Sequence, residues 1–386
     1  MGIYLNPSSE KFAESVHSEI YVDKSELIAF TNMQFKTRQK WICVSRPRRF
    51  GKSMALDMLA AYYSRGAEAE ALFEGLKIRQ NNSFIDHLNK YDVISVNMQR
   101  FLSRNEDIHY MIEDLCKNIL WELHNEYNDI TYFDPSDLVR TMQDIYVKTR
   151  RPFVVLIDEW DCIFREEKMN ATAQRRYLDF LRDWLKDQEY LGLAYMTGIL
   201  PIKKYGSHSA LNMFTEYSMT NPKRLAEYIG FTEDEVCCLC EKYHMSFEEA
   251  KAWYDGYFFK NVLSIYNPKS VVEAMLSGVY DSYWNQTETY EALKIYIQFN
   301  FDDLKEKIIK MLAGGRVSID IGSFANDMAN LHSSDDIFTL MVHLGYLAYD
   351  FNTKEVFIPN KEVSGEYITS VRALGWNTQT LADIAG

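Results

Sequence analysis

The segment SRPRRFGKS, from Ser45 to Ser53, contains the residue types that bind a polyphosphate. In such a loop the backbone N–H groups contact phosphate oxygens, a lysine bridges the outer phosphates and a serine hydroxyl ligates Mg²⁺. Gly51-Lys52-Ser53 is the ending of a Walker A loop, although an arginine stands where the generic pattern has its first glycine. Taken by itself, the segment has the alternative of a basic turn before a surface helix. We predict a site for ATP and Mg²⁺ with these nucleotide-binding residues: Arg46, Pro47, Arg48, Arg49, Phe50, Gly51, Lys52 and Ser53.

A second motif, VVLIDEWD from Val154 to Asp161, has the form of a Walker B strand. The apolar run would carry Asp158 to the carboxyl edge of a sheet, where it holds Mg²⁺ together with Ser53. Glu159, one residue further on, is placed to act as general base toward water. Both motifs occur in the expected order with a strand between them. This order favours an additional-strand P-loop ATPase over a small-molecule kinase.

A third position, Thr197, ends the next predicted strand in LAYMTGILPI. Its hydroxyl would lie near the γ-phosphate as a sensor, and the alternative is a strand-end threonine satisfied by its neighbours. With Lys52 and Glu159 it completes the predicted catalytic set. Arginine-finger candidates, each with the alternative of a solvated helix charge, are Arg175, Arg176, Arg182 and Arg224.

The elements that must position these residues alternate between strand and helix through the first 200 residues, which predicts a mostly parallel sheet with right-handed crossovers. Strands are predicted at 41–44, 93–96, 153–157 and 191–196. Helices are predicted near 55–62, 108–123 and 171–186, with another that Asp134 caps, that Pro135 begins and that continues toward Thr149.

Beyond Asn221-Pro222 the sequence predicts helices and no strands before a final hairpin. Thr232 and Glu235 have capping-box spacing and begin a helix through Tyr243. Further helices are predicted at 246–254, 302–312 and 333–344, and the hairpin at 346–350 and 355–358. Helices followed by a hairpin suggest a winged-helix type of module.

Several motifs in a fixed order indicate a family. YVDKSELI (21–28), SRPRRFGKS, VVLIDEWD and TGILPIKKYGSHSALNMFTEYSM (197–219) are followed by GFTEDEV, WYDGY, YNPKSV, HLGYLAYD and IPNKEV. With these motifs the chain resembles the bacterial AAA-ATPase-like family over nearly its whole length. The arginine at position 46 follows that family's own loop pattern.

The resemblance implies an α/β fold of the P-loop NTPase, additional-strand AAA-like type, in which a parallel sheet is followed by a helical lid and a C-terminal winged-helix-like module. The predicted division is an ATPase core at 1–222, a lid at 223–285 and the C-terminal module at 286–386. By analogy with related ATPases, Tyr21 and Val22 would line the adenine site. Family members often continue into a PD-(D/E)XK nuclease domain, but the tail shows no Asp…Glu-x-Lys constellation, so we do not carry nuclease activity over.

Composition limits the partners. The chain of 386 residues has 42 Lys and Arg against 55 Asp and Glu, a net charge of −13, which excludes a surface that coats nucleic acid non-specifically. No apolar run approaches the roughly 20 residues of a membrane span, and no secretion signal opens the chain, so we expect a cytoplasmic protein with its six cysteines reduced. A protein partner, a nuclease effector, DNA at the winged-helix-like module and an oligomer all stay open.

Two other patterns have structural alternatives. Cys237, Cys240 and His244 have zinc-like spacing but share a predicted helix face, and thiols on a buried face are the simpler interpretation. WYDGYFF offers a surface for stacking bases, or the core of the lid.

Three functions are compatible with the motifs. The first is ATP hydrolysis that drives or gates a conformational switch. The second is a nucleotide-occupied module that binds DNA or protein with negligible turnover. The third is phosphoryl transfer to a small molecule, which would need an acceptor pocket and no Glu159.

Overall fold

In the computed structural model, the apolar runs predicted as strands pair into one parallel sheet. The strands before residue 218 are β1 (Trp41–Ser45), β2 (Asp92–Asn97), β3 (Phe153–Asp158), β4 (Leu191–Gly198), β5 (Lys204–Tyr205), β6 (His208–Ser209) and β7 (Thr215–Tyr217). The sheet order is β2-β3-β4-β1-β7, and β5 pairs with β6 in a separate ribbon. Every residue of β3 and β4 is buried, as expected of central strands covered on both faces.

The structure describes residues 2–166, 170–202, 204–205, 208–209, 211–259, 262–284, 294–298, 303–325 and 331–375. These residues divide into two compact units. The first unit contains residues 2–45 and 52–217. The second contains residues 46–51 and nearly all of the described chain from 218 onward. The three-part division at 222 and 285 stays a prediction.

Among its described residues, the first unit contains nine α-helices, of which two precede β1 and seven connect the strands. They are α1 (Glu10–Val16), α2 (Glu26–Gln34), α3 (Lys52–Tyr63), α4 (Phe84–His87), α5 (Met98–Leu102), α6 (Ile108–Glu126), α7 (Leu138–Thr149), α8 (Cys162–Glu166) and α9 (Ala171–Leu185). The helix α3 packs on β2, β3 and β4, and α6 packs against α7 and α9. The predicted alternation of strands and helices is therefore confirmed.

The start of α7 differs from the prediction. Asp137, not Asp134, is the N-cap, and its carboxylate accepts a hydrogen bond from the Arg140 amide at 2.9 Å. Asp134 instead accepts from the amide and the hydroxyl of Ser136, at 2.9 and 2.6 Å. Pro135 consequently lies in a turn before the helix rather than in its first position.

The second unit contains helices and two small antiparallel sheets. Its helices are α10 (Glu233–Tyr243), α11 (Phe247–Tyr254), α12 (Pro268–Ser277), α13 (Leu304–Leu312), α14 (Ser334–Leu344) and α15 (Lys361–Ala373). Its strands are β8 (Phe231–Thr232), β9 (Tyr257–Phe259), β10 (Val262–Tyr266), β11 (Val317–Ser318), β12 (Ala348–Asp350) and β13 (Glu355–Phe357). The sheet orders are β8-β10-β9 and β11-β13-β12.

The structure of the second unit corrects the predicted absence of strands and confirms the predicted capping box and hairpin. The expectation of no strands after Pro222 until the final hairpin is wrong, because β8, β9, β10 and β11 precede it. The capping box is present: the Thr232 hydroxyl accepts from the Glu235 amide, and the Glu235 carboxylate accepts from the Thr232 amide at 2.8 Å. The hairpin forms from β12 and β13. Whether α13, α14 and this sheet act as a winged helix stays a prediction.

No helix within the described ranges combines the length and the apolar character that a bilayer crossing requires.

Candidate nucleotide-binding site

The loop between β1 and α3 follows the predicted order of strand, loop and helix. β1 ends at Ser45 and α3 begins at Lys52, so six residues make the turn. Gly51 adopts a φ of +87°, a conformation that glycine takes without steric cost, and Arg49 adopts +70°. The positive φ thus explains why glycine occupies position 51 in the Walker-like ending.

The loop's side chains are held by residues of the second unit, to which residues 46–51 belong. Arg46 is fully buried, donates to the Leu225 carbonyl at 3.3 Å and lies 5.1 Å from the centre of the Phe259 ring. Arg49 donates to the Tyr283 carbonyl at 3.0 Å. Arg46 is thus part of the packing of that unit, and its role at a polyphosphate stays a prediction.

The apolar residues of the loop are packed in the same unit. Phe50 is buried, and its ring meets that of Tyr257 edge to face at 5.3 Å. Pro47 lies so close to Gly345 that a Cβ on that glycine would meet the proline Cβ at 2.8 Å. Arg48 is exposed.

In the first unit, the Asp158 carboxylate is the centre of a hydrogen-bond cluster. Its Oδ2 accepts from the Ser53 hydroxyl at 2.7 Å and from the Asn97 amide at 3.3 Å. Its Oδ1 accepts from the Thr197 hydroxyl at 2.5 Å and from the Glu159 backbone amide at 3.0 Å. The Asp158 carboxylate therefore joins residues from the ends of β2, β3 and β4 and from the start of α3. It lies at the carboxyl edge of the parallel sheet.

Lys52 is 5% exposed in this cluster. Burial lowers the pKa of its ammonium group, while the carboxylates of Glu159, Asp158 and Asp161 raise it in part. Arg165 adds a further lowering effect. The carboxylates around this buried lysine stabilise its charged form and restrict where its ammonium group can lie.

Glu159 lies at the first residue after β3, with a φ of +53°, a conformation uncommon outside glycine. Its carboxylate accepts a hydrogen bond from the Arg165 guanidinium. Burial raises the pKa of Glu159, Arg165 and Lys52 lower it, and Asp161 and Asp158 raise it. The candidate base is thus a partly buried carboxylate held by one arginine.

Asp161 and Arg165 were not assigned a role from the sequence. The buried Oδ2 of Asp161 accepts from the amides of Ile199 and Leu200 at 3.0 and 2.7 Å. It also lies 3.3 Å from Arg165 Nε, four residues later. Asp161 belongs to the VVLIDEWD motif, but its partners lie 38 and 39 residues away in the chain, so spacing alone could not identify them.

Asn97 also lacked a sequence prediction. It is the last residue of β2, and it pairs in register with Asp158 at the end of β3. The rule that parallel strands end at the same sheet edge could have identified it.

Oxygen ligands suited to Mg²⁺ are present at this edge. Ser53 and Asp158 offer a hydroxyl and a carboxylate oxygen 2.7 Å apart. Mg²⁺ is commonly bound by one or two carboxylates together with substrate phosphates and water. The residues predicted to hold the metal therefore fit it.

The remaining predicted residues lie elsewhere. Tyr21 packs edge-on against Phe12 at 6.3 Å, burial raises the pKa of its phenol, and Val22 is half-buried. Their role at an adenine stays a prediction. Arg182 pairs with Asp179 at 2.8 Å, and the other three finger candidates, Arg175, Arg176 and Arg224, are exposed.

The zinc alternative has no support in the part of the chain that the structure describes, where no group of three His, Cys, Asp or Glu side chains has a metal-binding arrangement. Cys240 is buried on α10, and His244 is the residue that ends this helix.

Comparison with known proteins gives a family and a curated relative. The family described as Predicted AAA-ATPase matches residues 10–207. An uncharacterized protein from the vnfD 5′ region of Azotobacter chroococcum is 25% identical over 279 residues, which are 70% of this chain and 51% of that protein. The chain therefore spans about half the length of this relative.

Solved structures give looser matches. The Aeropyrum pernix ORC2 protein in ADPNP and ADP complexes has a TM-score of 0.39 at 11% identity, with 96% of this chain and 98% of that chain covered. The replication initiator DnaA bound to AMPPCP and single-stranded DNA has a TM-score of 0.30 at 9% identity, with 97% and 93% covered. Superpositions this loose carry no argument about function. The family match, in contrast, extends over just over half of the chain and includes β1 to β4 with Lys52, Ser53, Asp158 and Thr197, and the chain belongs to the Predicted AAA-ATPase family.

Proposed function

We propose that this protein binds ATP with Mg²⁺ at the cluster around Asp158 and hydrolyses it. The observation that carries the proposal is the convergence of the Ser53 and Thr197 hydroxyls on one carboxylate at the sheet edge, beside buried Lys52. A P-loop ATPase needs a hydroxyl and a carboxylate for the metal, a lysine for the phosphates and a base for water. Each of these residue types is present in the first unit.

The roles follow from the chemistry of each group. Lys52 would bind the outer phosphates of ATP, and Ser53 and Asp158 would hold the Mg²⁺. The metal would supply charge stabilisation to the phosphates when bound. Glu159 would accept the proton of the attacking water, and Thr197 would donate a hydrogen bond toward the γ-phosphate.

The second candidate function is a nucleotide-held switch with negligible turnover. The ion pair of Glu159 with Arg165 favours it, because a carboxylate engaged by an arginine is a weaker base toward water. In both functions the output would be a conformational change. Arg46, Arg49 and Phe50 of the loop are bonded within the second unit, so a change in the loop acts directly on that unit.

The experiment measures ATP binding with a fluorescent ATP analogue, and phosphate release, for the wild type, Lys52→Ala and Glu159→Gln. Lys52→Ala is expected to lose binding. Glu159→Gln is expected to keep binding while turnover falls by about 100-fold or more, the usual contribution of a general base. Exposed Lys148→Ala and Glu189→Gln are the matched controls.

The results separate the candidates. Turnover that is unchanged in Glu159→Gln would remove the assigned base. ATP binding in the wild type without measurable phosphate release would favour the switch. Transfer of phosphate to an added small molecule instead of water would favour phosphoryl transfer.

The cellular location, the lid, the C-terminal module and the oligomeric state are also proposals. We propose a cytoplasmic protein with a helical lid and a winged-helix-like module that binds a protein partner or DNA. Retention on DNA at low salt and its loss at physiological salt would support a DNA-binding role. Oligomerisation is tested by sedimentation with and without ATP.

A further inference from the structure

A cavity of about 560 Å³ lies in the first unit beside α5 and α6, and its lining shares no residue with the cluster on Asp158. We call it the α5–α6 cavity. Its lining includes Tyr4, Arg100, Arg104, Lys117, Trp121 and Glu122. These are three cationic side chains, two aromatic rings and one buried carboxylate.

The cationic side chains of this cavity are available for a ligand. Arg100 and Arg104 are exposed, and neither forms an ion pair with a carboxylate among the described residues. Lys117 has Glu113 at 3.8 Å, a distance at which a surface pair contributes little. In a chain with a net charge of −13, two arginines that line one cavity and form no ion pair there make a local site for an anion.

The carboxylate of Glu122 does not oppose such an anion strongly, because its oxygens are already used. They accept hydrogen bonds from the amides of Ile3, Tyr4 and Leu5, at 2.9, 2.9 and 2.6 Å. Three amide donors offset the negative charge. The same bonds fix the N-terminal segment as one wall of the cavity.

The exposure of Trp121 is unusual among the tryptophans that the structure describes. It is 69% exposed, whereas Trp160 and Trp184 are fully buried and Trp284 is 4% exposed. It lies one helical turn after Lys117 on α6, so the indole and the ammonium group share one face. A large exposed ring beside cations is the arrangement that binds flat, anionic ligands.

The other wall is also ordered. The Asn97 side chain caps α5 by accepting from the Arg100 amide at 3.1 Å, and the Phe101 ring lies 5.3 Å from that of Tyr4. Arg100 therefore projects from a short helix that is fixed at its first residue. Less side-chain and backbone freedom is lost on binding to such a site than on binding to a loop.

We propose that the α5–α6 cavity binds a ligand that combines a phosphate with a nucleobase, supplied either by single-stranded nucleic acid or by a free nucleotide. The base stacks on Trp121, and the phosphates lie on Arg100 and Arg104 with Lys117 beside them. Its lining residues differ from those around Lys52 and Asp158, and the proposed binding does not depend on ATP hydrolysis.

The test uses a fluorescein-labelled dT 12-mer and measures anisotropy in 50 mM salt. Trp121→Ala is expected to weaken binding about tenfold, the usual effect of losing one stacked base. The double variant Arg100→Gln, Arg104→Gln is expected to reduce the slope of log affinity against log salt by about 1.4, since each contact to a single strand contributes about 0.7. Phe133→Ala, which removes a ring that is 83% exposed, and exposed Arg38→Gln are the matched controls.

Competitors distinguish the chemistry and the source. An abasic strand of equal length is expected to displace the probe poorly, because it offers phosphates without bases. In a calorimetric titration with uridine 5′-monophosphate, heat that is lost in Trp121→Ala and kept in Lys52→Ala identifies a free nucleotide as the ligand of this cavity.

Two results would overturn the proposal. One is the absence of binding to both the 12-mer and the monophosphate. The other is equal binding by the wild type, Trp121→Ala and the double arginine variant. Circular dichroism checks that each variant is folded, and because Trp121, Arg100 and Arg104 are exposed, a loss of fold is not expected for their variants.

Discussion

At the scale of single residues, Asp158 depends on hydroxyls that the sequence places far apart. The Thr197 hydroxyl donates to its Oδ1 at 2.5 Å in a fully buried position. Thr197→Val keeps the shape of the side chain and removes this donor, so we expect the free energy of unfolding to fall by about 1–3 kcal/mol in urea titrations. Thr197→Ser, which keeps the hydroxyl, is expected to lose less.

Thr339→Val is the control for this prediction. Thr339 is also buried, but its hydroxyl donates to the Asp335 carbonyl at 2.8 Å, within its own helix. We expect a smaller cost there, because no charged acceptor loses a donor. Equal losses at both positions would contradict the argument.

Arg165 is a positioning residue for Glu159, and its effect is visible in pH dependence if the proposed hydrolysis is correct. Burial raises the pKa of Glu159 and the guanidinium lowers it. Arg165→Met therefore raises that pKa further, and the base stays protonated to a higher pH. We expect the acidic limb of the pH–turnover profile to move to higher pH, and Arg165→Lys to restore most of the wild-type position.

The control for Arg165 is Arg79→Met, which breaks an exposed ion pair with Glu70 outside the candidate site. It should leave the profile in place. An acidic limb that stays put in Arg165→Met would mean that Glu159 does not act as the base, or that Arg165 does not set its pKa. Direct titration of Glu159 by NMR separates these two outcomes.

At the scale of elements, the end of β4 has no space for a side chain. A Cβ on Gly198 would lie 2.7 Å from Asp161 Oδ1 and 2.7 Å from the Trp160 ring. Gly198→Ala must push these buried groups apart, so we expect a loss of about 1–3 kcal/mol in unfolding free energy. Gly365→Ala has the opposite sign, because nothing lies within 4 Å of its Cβ and it is inside α15.

We expect Gly365→Ala to stabilise its helix by about 0.5–1 kcal/mol, the difference between glycine and alanine in a helix interior. Chemical denaturation of both variants beside the wild type checks the two signs. A neutral Gly198→Ala would show that the turn after β3 can move without cost.

The sequence predicted the long elements because their patterns have enough residues to be periodic. β3 is a six-residue buried run and α6 spans 19 residues. The strands β8 and β9, of two and three residues, are too short to show alternation, and for this reason they were not predicted. Length does not explain why β10 was missed, because its five residues equal those of β1. Asp134 and Asp137 both precede one apolar pattern, and only three-dimensional geometry decides which of them caps α7.

The site was predictable to a similar extent. Ser53, Asp158 and Thr197 follow from motifs and strand ends, and the structure brings them together. Asp161 and Arg165 could not be predicted from motifs or strand ends. The amides that donate to Asp161 lie beyond β4, far away in the chain, and such a contact produces no local sequence pattern. Contacts between distant segments are what the sequence alone does not show.

At the scale of the whole molecule, the second unit buries a carboxylate that ties three of its segments together. Glu362 on α15 accepts from the Ser270 hydroxyl of α12 at 3.0 Å and from the amides of Tyr283 and Trp284, at 2.7 and 2.9 Å. Burial raises the pKa of this group from 4.5 to about 7, although these donors lower it, and neighbouring Glu366 raises it further.

The sign of the resulting pH dependence follows from which state holds the proton. Below pH 4.5 the carboxyl group is protonated in both states, so its contribution to stability is fully present. Between pH 4.5 and about 7 the unfolded chain loses the proton while the folded unit keeps it, so stability falls as the pH rises. The total is about 3 kcal/mol, from 1.36 kcal/mol per pKa unit.

Glu362→Gln removes this titration, so we expect the difference in unfolding free energy between wild type and variant to change by about 3 kcal/mol between pH 4.5 and 8, in the direction that favours the variant at high pH. Urea titrations at four pH values measure that difference. The contributions of the other carboxyl groups cancel in it, because wild type and variant share them. Glu306→Gln, at an exposed position on α13, is the control and should leave the difference flat. A flat difference for Glu362→Gln as well would mean that the amides of Tyr283 and Trp284 compensate the burial completely, so that the carboxyl group has the same pKa in the folded unit as in the unfolded chain.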